Sequence, residues 1–500
     1  MLEIQKRLTR GFLTLLSLPV TGMGFALSIQ IAALSWIMSE VYGFSLEEVG
    51  LVWAAGPLAG ILAQPIVGLI SDNVWFWGGR RKPFILAGGV LTALALLALP
   101  NLEAVQTMLG AEELLGIAVL VTLVLDLSIN ISFNPTRSII ADVTPDNQIR
   151  VTGYTWMQVI SGTFGVGAYL ISIWLGNITL IYIGSILVLA FSLIPPMLIE
   201  EPRVLGETTE ATETNPESTS HGGLGPAFSA LLPLLGFLIY AVYGLIREAA
   251  TRFGGSEEEA AAETLVHAPN MTVEWVLLGF TALLFAYTFT RKESASDPAA
   301  GFRKVMAAHA FTWLGIQTMF VFTYGWLQEN FPDLSSEGLG GMISWAFFTL
   351  NAVAAVLPGI LLEPMANKYG RVIVHRICIA SMCAGYVLLL MIGSGGFVPL
   401  LIAMAILGIG WASTISLVFA VMTRLADAKR MGLYMGLFNL SVVLPQLAVS
   451  LGVSRYLAYV QESGGSLDMI YIISAVCLGI SAIAWWGVPA GDPEDEAEAA

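Results

Sequence analysis

Charge is what this chain has least of. Only 12% of its 500 residues are charged, 56% are hydrophobic, and the mean hydropathy is +0.76. A soluble chain of this length needs more surface charge, so a soluble fold is excluded and a polytopic helical membrane protein is implied. Cysteine is scarce too. Cys378, Cys383 and Cys477 all fall within apolar runs, which excludes a disulfide framework. The basic N-terminus MLEIQKRLTR enters an apolar stretch without a small-residue cleavage site, so an uncleaved first helix is expected rather than a signal peptide. The sequence holds no metal-binding cluster, no nucleotide loop and no nucleophile–histidine set, so neither an enzyme nor a cofactor or metal is expected. The net charge of -15 sits mainly in loops and in the tail GDPEDEAEAA, which argues against nucleic acid and anionic lipid as partners.

Apolar runs of spanning length are abundant. Six fall at 12–38, 48–71, 84–100, 114–138, 152–175 and 177–199, and six more at 304–327, 340–364, 372–393, 397–422, 432–457 and 468–488. Each is close to the ~20 residues that a bilayer core requires. Between the two sixes lies an insert that opens with the polar linker GETTEATETNPESTSHGG and holds two further apolar runs, 226–246 and 273–290. Read as spanning, they give fourteen helices. Read as surface-lying, they would show stronger amphipathicity than they do. The expected fold is therefore all-α, two six-helix bundles with two extra helices in the insert. The expected regions are 1–199, an insert 200–302, a second bundle 303–490 and an acidic tail 491–500.

Basic residues test the topology. With both termini in the cytoplasm, 19 of the 22 lysines and arginines lie inside or at inner helix ends; Arg247, Arg252 and Arg455 are the exceptions. A single crossing by the insert would put Lys368, Arg371, Arg376, Arg424, Lys429 and Arg430 outside, against the positive-inside bias. Two insert crossings or none preserve parity, so charge does not separate those cases. A multi-pass protein of the cell membrane, monomeric, is expected.

Asp126 stands near the middle of GIAVLVTLVLDLSINISF, residues 116–133. A carboxylate at that depth costs at least ~2.5 kcal/mol on insertion scales, so it faces a polar cavity and serves substrate or proton, or it is a structural group bonded to a neighbouring helix. The two sixes also look like copies. SDNVWFWGGRRKPF, with Asp72, Gly79, Arg80 and Arg81, is answered by EPMANKYGRVIV, with Asn367, Gly370 and Arg371; Arg150-Val-Thr-Gly-Tyr154 is answered by Arg430-Met-Gly-Leu-Tyr434. Parallel repeats of this kind imply alternating access around a midplane site.

At these residues the chain resembles the major facilitator superfamily, through the Gly, Asp, Gly-Arg-Arg pattern. QPIVGLISDNVWFWGGRRKPFI, LDLSINISFNPTRSIIAD, LEPMANKYGRV and YMGLFNLSVVLPQLAVS, in that order, are similar to the sucrose–proton symporters within the glycoside–pentoside–hexuronide:cation symporter group. The long insert is unlike the plant members of that group. The resemblance implies proton-coupled sugar symport, with Asp126 in the position of the proton-coupling carboxylate.

Sugar recognition calls for many hydrogen bonds and an aromatic face. Candidates at helix-interior depth are Gln30, Asn130, Tyr154, Gln158, Gln317, Asn351, Asn439 and Gln446, with Trp156, Trp313 and Trp326 for stacking. Each amide taken singly serves equally as a helix–helix bond, and tryptophans often form interfacial belts. A proton is expected as coupling ion rather than sodium, for which Asp126 and Asn130 alone are sparse oxygen ligands. Asp72 is expected to latch the halves by meeting a helix N-terminus, with Arg80 and Arg81 bracing it. Arg137 and Asp142, five residues apart, are too far round a helix to pair well, so Arg137 is expected to pair across helices, with Glu363 a candidate. Arg371 completes the expected gating set. Asn177-Ile-Thr and Asn270-Met-Thr fit a glycosylation acceptor pattern. Two rivals remain at this level: a non-transporting delivery protein of the same superfamily, and a proton-coupled drug exporter. A protein that does not cycle has no use for a proton site, and exporters of amphipathic drugs by proton antiport tend to have an apolar cavity, whereas this chain is rich in amides.

Overall fold

The computed structural model describes residues 8–61, 67, 70, 74–144, 148–202, 229–253, 271–291, 299–393, 395–426 and 431–490. Among them thirteen helices are long and apolar enough to cross a membrane. A fourteenth follows the loop at 42–45 and is helical over most of 46–61 before it runs into undescribed residues. The count of fourteen agrees with the sequence. The linker at 206–223 and the acidic tail lie outside the described residues.

The chain divides into two compact units. The first is Met1–Gly43, Ala55–His221 and Leu334–Phe348; the second is Phe44–Ala54, Gly222–Asp333 and Thr349–Ala500. Phe44–Ala54 groups with the second unit and Leu334–Phe348 with the first, and the two helices of the insert lie in the second.

Helix α1 (Arg10–Trp36) starts where Thr9 Oγ1 accepts the Phe12 N–H at 3.3 Å, and it ends in a π-helical turn, Ile37–Val41. Helix α2 (Leu46–Trp53) opens on a capping box, Ser45 and Glu48 each satisfying the other's backbone. α2 groups with the second unit; besides α1, the first holds α3 (Lys82–Ala98), α4 (Leu114–Val143), α5 (Gln148–Leu175) and α6 (Asn177–Leu198). In it α1 packs on α5 and α6, and α3 on α4 and α6. Its buried cluster joins Phe12, Leu16, Ile85, Ile139, Met157 and Ile199.

The insert supplies α7 (Leu235–Phe253) and α8 (Thr272–Thr290), which pack on each other. They are followed by α9 (Ala300–Asn330), α10 (Ser336–Leu357), α11 (Arg371–Ile392), α12 (Phe397–Leu425), α13 (Met431–Ala448) and α14 (Met469–Ala484). Past α13 the chain makes a π turn, Val449–Val453, and a further helical piece, Ser454–Glu462. In the second unit α9 packs on α13 and α14, and α11 on α12 and α14. These are the four pairings of the first unit, repeated helix for helix, so the duplication read in the loops is present in the packing.

Small residues and hydroxyls make those crossings, as apolar helices in lipid require. Thr92 and Ser128 meet at 2.9 Å between α3 and α4, and Thr312 and Ser481 at 2.7 Å between α9 and α14. A Cβ on Gly315 would come within 2.9 Å of the Ser474 carbonyl, so α9 approaches α14 as closely as it does only with glycine there.

Candidate functional site

Asp126 is buried on α4 and faces α1 within the first unit. Gln30 Nε2 donates to both of its oxygens, at 3.1 Å to Oδ1 and 2.9 Å to Oδ2. No lysine, arginine or histidine among the described residues forms an ion pair with it. Gly56 lies alongside, and a Cβ there would stand 3.4 Å from Oδ2. The result is a carboxylate in a tight recess, held by one neutral amide. Burying an ionisable group there is costly, and the single amide partner leaves its remaining lone pairs open to a proton or a hydroxyl. Asn130, one turn on, bonds back to the Asp126 carbonyl at 2.8 Å.

Tyr154 and Trp156 sit on α5, where the Tyr154 hydroxyl donates to the Arg137 carbonyl at 3.4 Å and Trp156 Nε1 to Thr14 Oγ1 at 2.7 Å. Gln158 is exposed on the same helix. Tyr154 and Trp156 are thus tied to neighbouring helices.

The second unit gathers a different set. Gln446 Nε2 on α13 donates to Gln317 Oε1 on α9 at 3.0 Å. Asn351 on α10 accepts from Trp411 Nε1 at 3.2 Å, and Trp313 packs edge-on to Trp411 with ring centroids 5.8 Å apart. Trp313 also donates to His309 at 2.9 Å, and the His309 ring stacks on Phe438. Two sequence candidates, Trp313 and Asn351, therefore meet at Trp411 in one aromatic–amide cluster, while Gln317 and Gln446 form a separate amide pair between α9 and α13. Trp411, the hub of that cluster, was not singled out by sequence; a tryptophan deep within the apolar run at 397–422 was the available signal. Asn439 is half-buried on α13. Trp326 is fully buried and donates to Asp468 at 2.8 Å, against Tyr471.

At the loop preceding α3, Arg81 Nε pairs with Asp142 Oδ2 at 3.0 Å. The three consecutive backbone N–H groups of Arg80, Arg81 and Lys82 point at one carboxylate, Glu201, at 2.7, 2.9 and 2.7 Å. An acid at a helix N-terminus satisfies orphan donors and the helix dipole together. A Cβ on Gly79 would collide with that carboxylate, which gives the glycine before the twin arginines a physical reason. Sequence reading missed Glu201, whose signal was its place just past the sixth apolar run. Arg150 donates to the Ala141 and Thr144 carbonyls at 3.2 and 3.0 Å, closing the end of α4. Arg137 lays its guanidinium over the Phe133 ring at 4.1 Å. Glu363 is exposed in the second unit, and Arg371 opens α11 there. Asp72 lies outside the described residues. Asn177 is buried, its Oδ1 accepting from Ser172 and Ser344, so it does not serve as a glycan acceptor; Asn270 lies outside the described residues.

Several known proteins are similar to this chain. A sucrose transport protein of Arabidopsis thaliana is 24% identical over 536 residues, covering 94% of this chain and 86% of the relative. One from Oryza sativa subsp. indica is 26% identical over 471 residues, covering 86% and 84%. A shorter match, 32% identical over 177 residues, links 33% of this chain with 31% of a general alpha-glucoside permease of Schizosaccharomyces pombe. Among solved structures, the inward-open xylose transporter XylE from E. coli matches with a TM-score of 0.59 at 12% identity, over 98% of this chain and 99% of that one. The nucleoside transporter NupG matches with 0.58 at 14%, over 95% and 98%. At such identities the likeness is one of fold. The repeated helix pairings, the glycine–arginine loop braced on Glu201, and a family model matching residues 16–450 agree, and the chain belongs to the Major Facilitator Superfamily.

Proposed function

We infer that this multi-pass membrane protein is a proton-coupled sugar symporter that carries a disaccharide or other glucoside by alternating access. The observation that carries the reading is the Asp126–Gln30 pair, a buried carboxylate whose described side-chain partner is a neutral amide. The amide is two-faced: its NH2 donates to a carboxylate, and after rotation its carbonyl accepts from a protonated carboxyl. Gln30 thus responds to the protonation state of Asp126 and presents its remaining face to a sugar hydroxyl. A protonated Asp126 donates to substrate; an ionised, unaccompanied one is costly to carry through the apolar interior. Proton and sugar then travel together because one residue serves both. The sucrose and alpha-glucoside names of the similar proteins support the substrate class, and the aromatic–amide network around Trp411 has the stacking and hydrogen-bonding groups that a sugar needs.

The test is uptake of radiolabelled sucrose and maltose into proteoliposomes, with and without an inward proton gradient. Wild type accumulates one of these sugars above equilibrium only with the gradient. Asp126→Asn retains sugar exchange within a few-fold but loses gradient-driven accumulation by roughly tenfold or more, the loss of one charge-assisted interaction being about 1.5–3 kcal/mol. Accumulation driven equally well in the mutant removes Asp126 from coupling, and accumulation driven by a sodium gradient instead removes the proton.

A further inference from the structure

A buried histidine stands among the tryptophans and amides of the second unit, and hydroxyl recognition by itself has no use for it. His309, Trp313 and Gln317 lie four residues apart on α9, so they share one side of that helix. From Val305 to Leu327 every residue of α9 is buried except Trp313 and Leu314. Leu314 opens on the apolar space beside α8. Trp313 opens beside Trp411 and Asn351, which are half-buried as well, and one turn along Gln317 holds the half-buried Gln446. Half-open amides at this depth belong to a polar space, because lipid has nothing to satisfy them.

Both tryptophans of this corner have the indole N–H engaged. Trp411 gives its proton to Asn351 Oδ1 at 3.2 Å, and Trp313 gives its own to His309 Nε2 at 2.9 Å. Since Nε2 accepts, that bond assigns the imidazole proton to Nδ1. Nδ1 has no hydrogen-bond partner among the described residues. A residue needed only for packing is better apolar here, because a buried donor left open is costly; the histidine contributes an acceptor that no hydrocarbon side chain has. Its ring is stacked on Phe438 of α13, with centroids 4.8 Å apart and planes 14° from parallel. Phe438 thus fixes the face of the imidazole and Trp313 receives its edge. Trp411 then meets Trp313 edge-on at 85°, and Phe320 closes on Trp411 with centroids 5.4 Å apart.

We propose that His309 is a positioning residue for the transported glycoside: its Nε2 holds the Trp313 indole so that the ring offers its face to the sugar. The role rests on the sugar reading above and adds to it a side chain that never touches the sugar. With both indole N–H groups spent within the protein, the tryptophan corner presents carbon, which suits the C–H side of a pyranose ring. The hydroxyls are left to the amides one turn away. An indole released from His309 still stacks, but it must first be ordered, and that cost appears as weaker binding.

The test uses the full chain, in proteoliposomes for uptake and in nanodiscs for spectroscopy, with sucrose and maltose as probes. His309→Phe keeps a ring on Phe438 and deletes the acceptor, whereas His309→Gln keeps an acceptor for the same indole. In His309→Phe the KM of gradient-driven uptake is expected to rise about three- to tenfold, the factor that one neutral hydrogen bond supplies. The maximal rate changes far less, as loss of a uniform binding contribution requires. His309→Gln restores the KM. Fluorine NMR of fluorotryptophan-labelled protein reads the ring itself. The Trp313 signal, assigned by its absence in Trp313→Phe, is expected to shift in His309→Phe, to return in His309→Gln and to move when the sugar is added. Where His309→Phe does not fold, exchanging the Trp313 indole for its benzothiophene isostere removes the N–H alone and is expected to raise the KM equally. An unchanged KM in His309→Phe beside a displaced Trp313 signal overturns the proposal, because the bond then serves packing only. A His309→Gln variant as impaired as His309→Phe overturns it too, since the acceptor is then not what matters. A wild type that neither takes up these sugars nor shows a sugar-dependent signal overturns the sugar reading and this role with it; a wild type that does both while its variants match it overturns this role alone.

Discussion

Asp126 was legible from sequence because an acid in an apolar run contradicts its surroundings, and membranes make such contradictions expensive. Gln30 was legible only as one amide among many. Nothing in a linear reading ties it to a carboxylate 96 positions away, and the bidentate contact is visible only once α1 lies on α4. The pair makes a prediction about Gln30 as sharp as the one about Asp126. Gln30→Leu keeps the volume and deletes the donor, leaving the carboxylate without it. Gradient-driven sugar accumulation is expected to fall by roughly tenfold or more, the worth of a hydrogen bond to a charged group, with much smaller loss in Gln158→Leu, whose side chain is exposed. Comparable loss in the two variants would make Gln30 an ordinary polar residue of the helix. Gly56 offers a steric counterpart. Gly56→Ala is tolerated, because its Cβ meets Oδ2 at ordinary contact distance, whereas Gly56→Val drives a branch into the recess and lowers uptake, as the same flux assay reads.

Helix ends were harder to read than helix bodies. Apolar length announces a span, but what closes its terminus is set by residues distant in sequence. The twin-arginine loop shows this. From sequence Arg81 was expected to brace Asp72, which lies outside the described residues; in the structure Arg81 grips Asp142, a partner that sequence did not offer it, and the carboxylate that caps α3 is Glu201, some 120 residues on. Gly79 and Glu201 are two halves of one device, and that coupling is testable. Glu201→Ala removes a charged cap from three N–H groups, at a cost of about 1–3 kcal/mol. Gly79→Ala pushes a methyl group into the same carboxylate and costs a similar amount. Once Glu201 is gone the methyl still meets Lys82 Cβ at 2.9 Å but no longer the carboxylate, so the double variant is expected to lose clearly less than the sum of the two single losses. Thermal unfolding of the four proteins in detergent checks this; additive losses would mean that Gly79 and Glu201 act separately.

The helix count and the duplication are whole-molecule properties, and both were legible because a bilayer enforces them: spans need length, and cytoplasmic loops need positive charge. Three arginines broke the charge rule, and the structure accounts for two. Arg247 and Arg455 converge on Glu274, so their charge is spent in an ion pair at the insert's end rather than offered to a membrane face. This bears on whether the insert spans, which parity left open. Surface-lying helices would present one polar flank to water; α8 instead carries its one acid at an end and is apolar along the rest of its length, and α7 packs against α8 and α13. Spanning helices put the linker before α7 and the loop between α7 and α8 on opposite sides of the membrane. With Cys378, Cys383 and Cys477 replaced, single cysteines at Ser218 and Ser256 can be compared with an impermeant maleimide in intact cells. Ser256→Cys is expected to label from outside, and Ser218→Cys and Ser294→Cys only after the membrane is opened. Surface-lying helices would protect all three, and labelling at Ser218 with protection at Ser256 would invert the orientation of the entire chain.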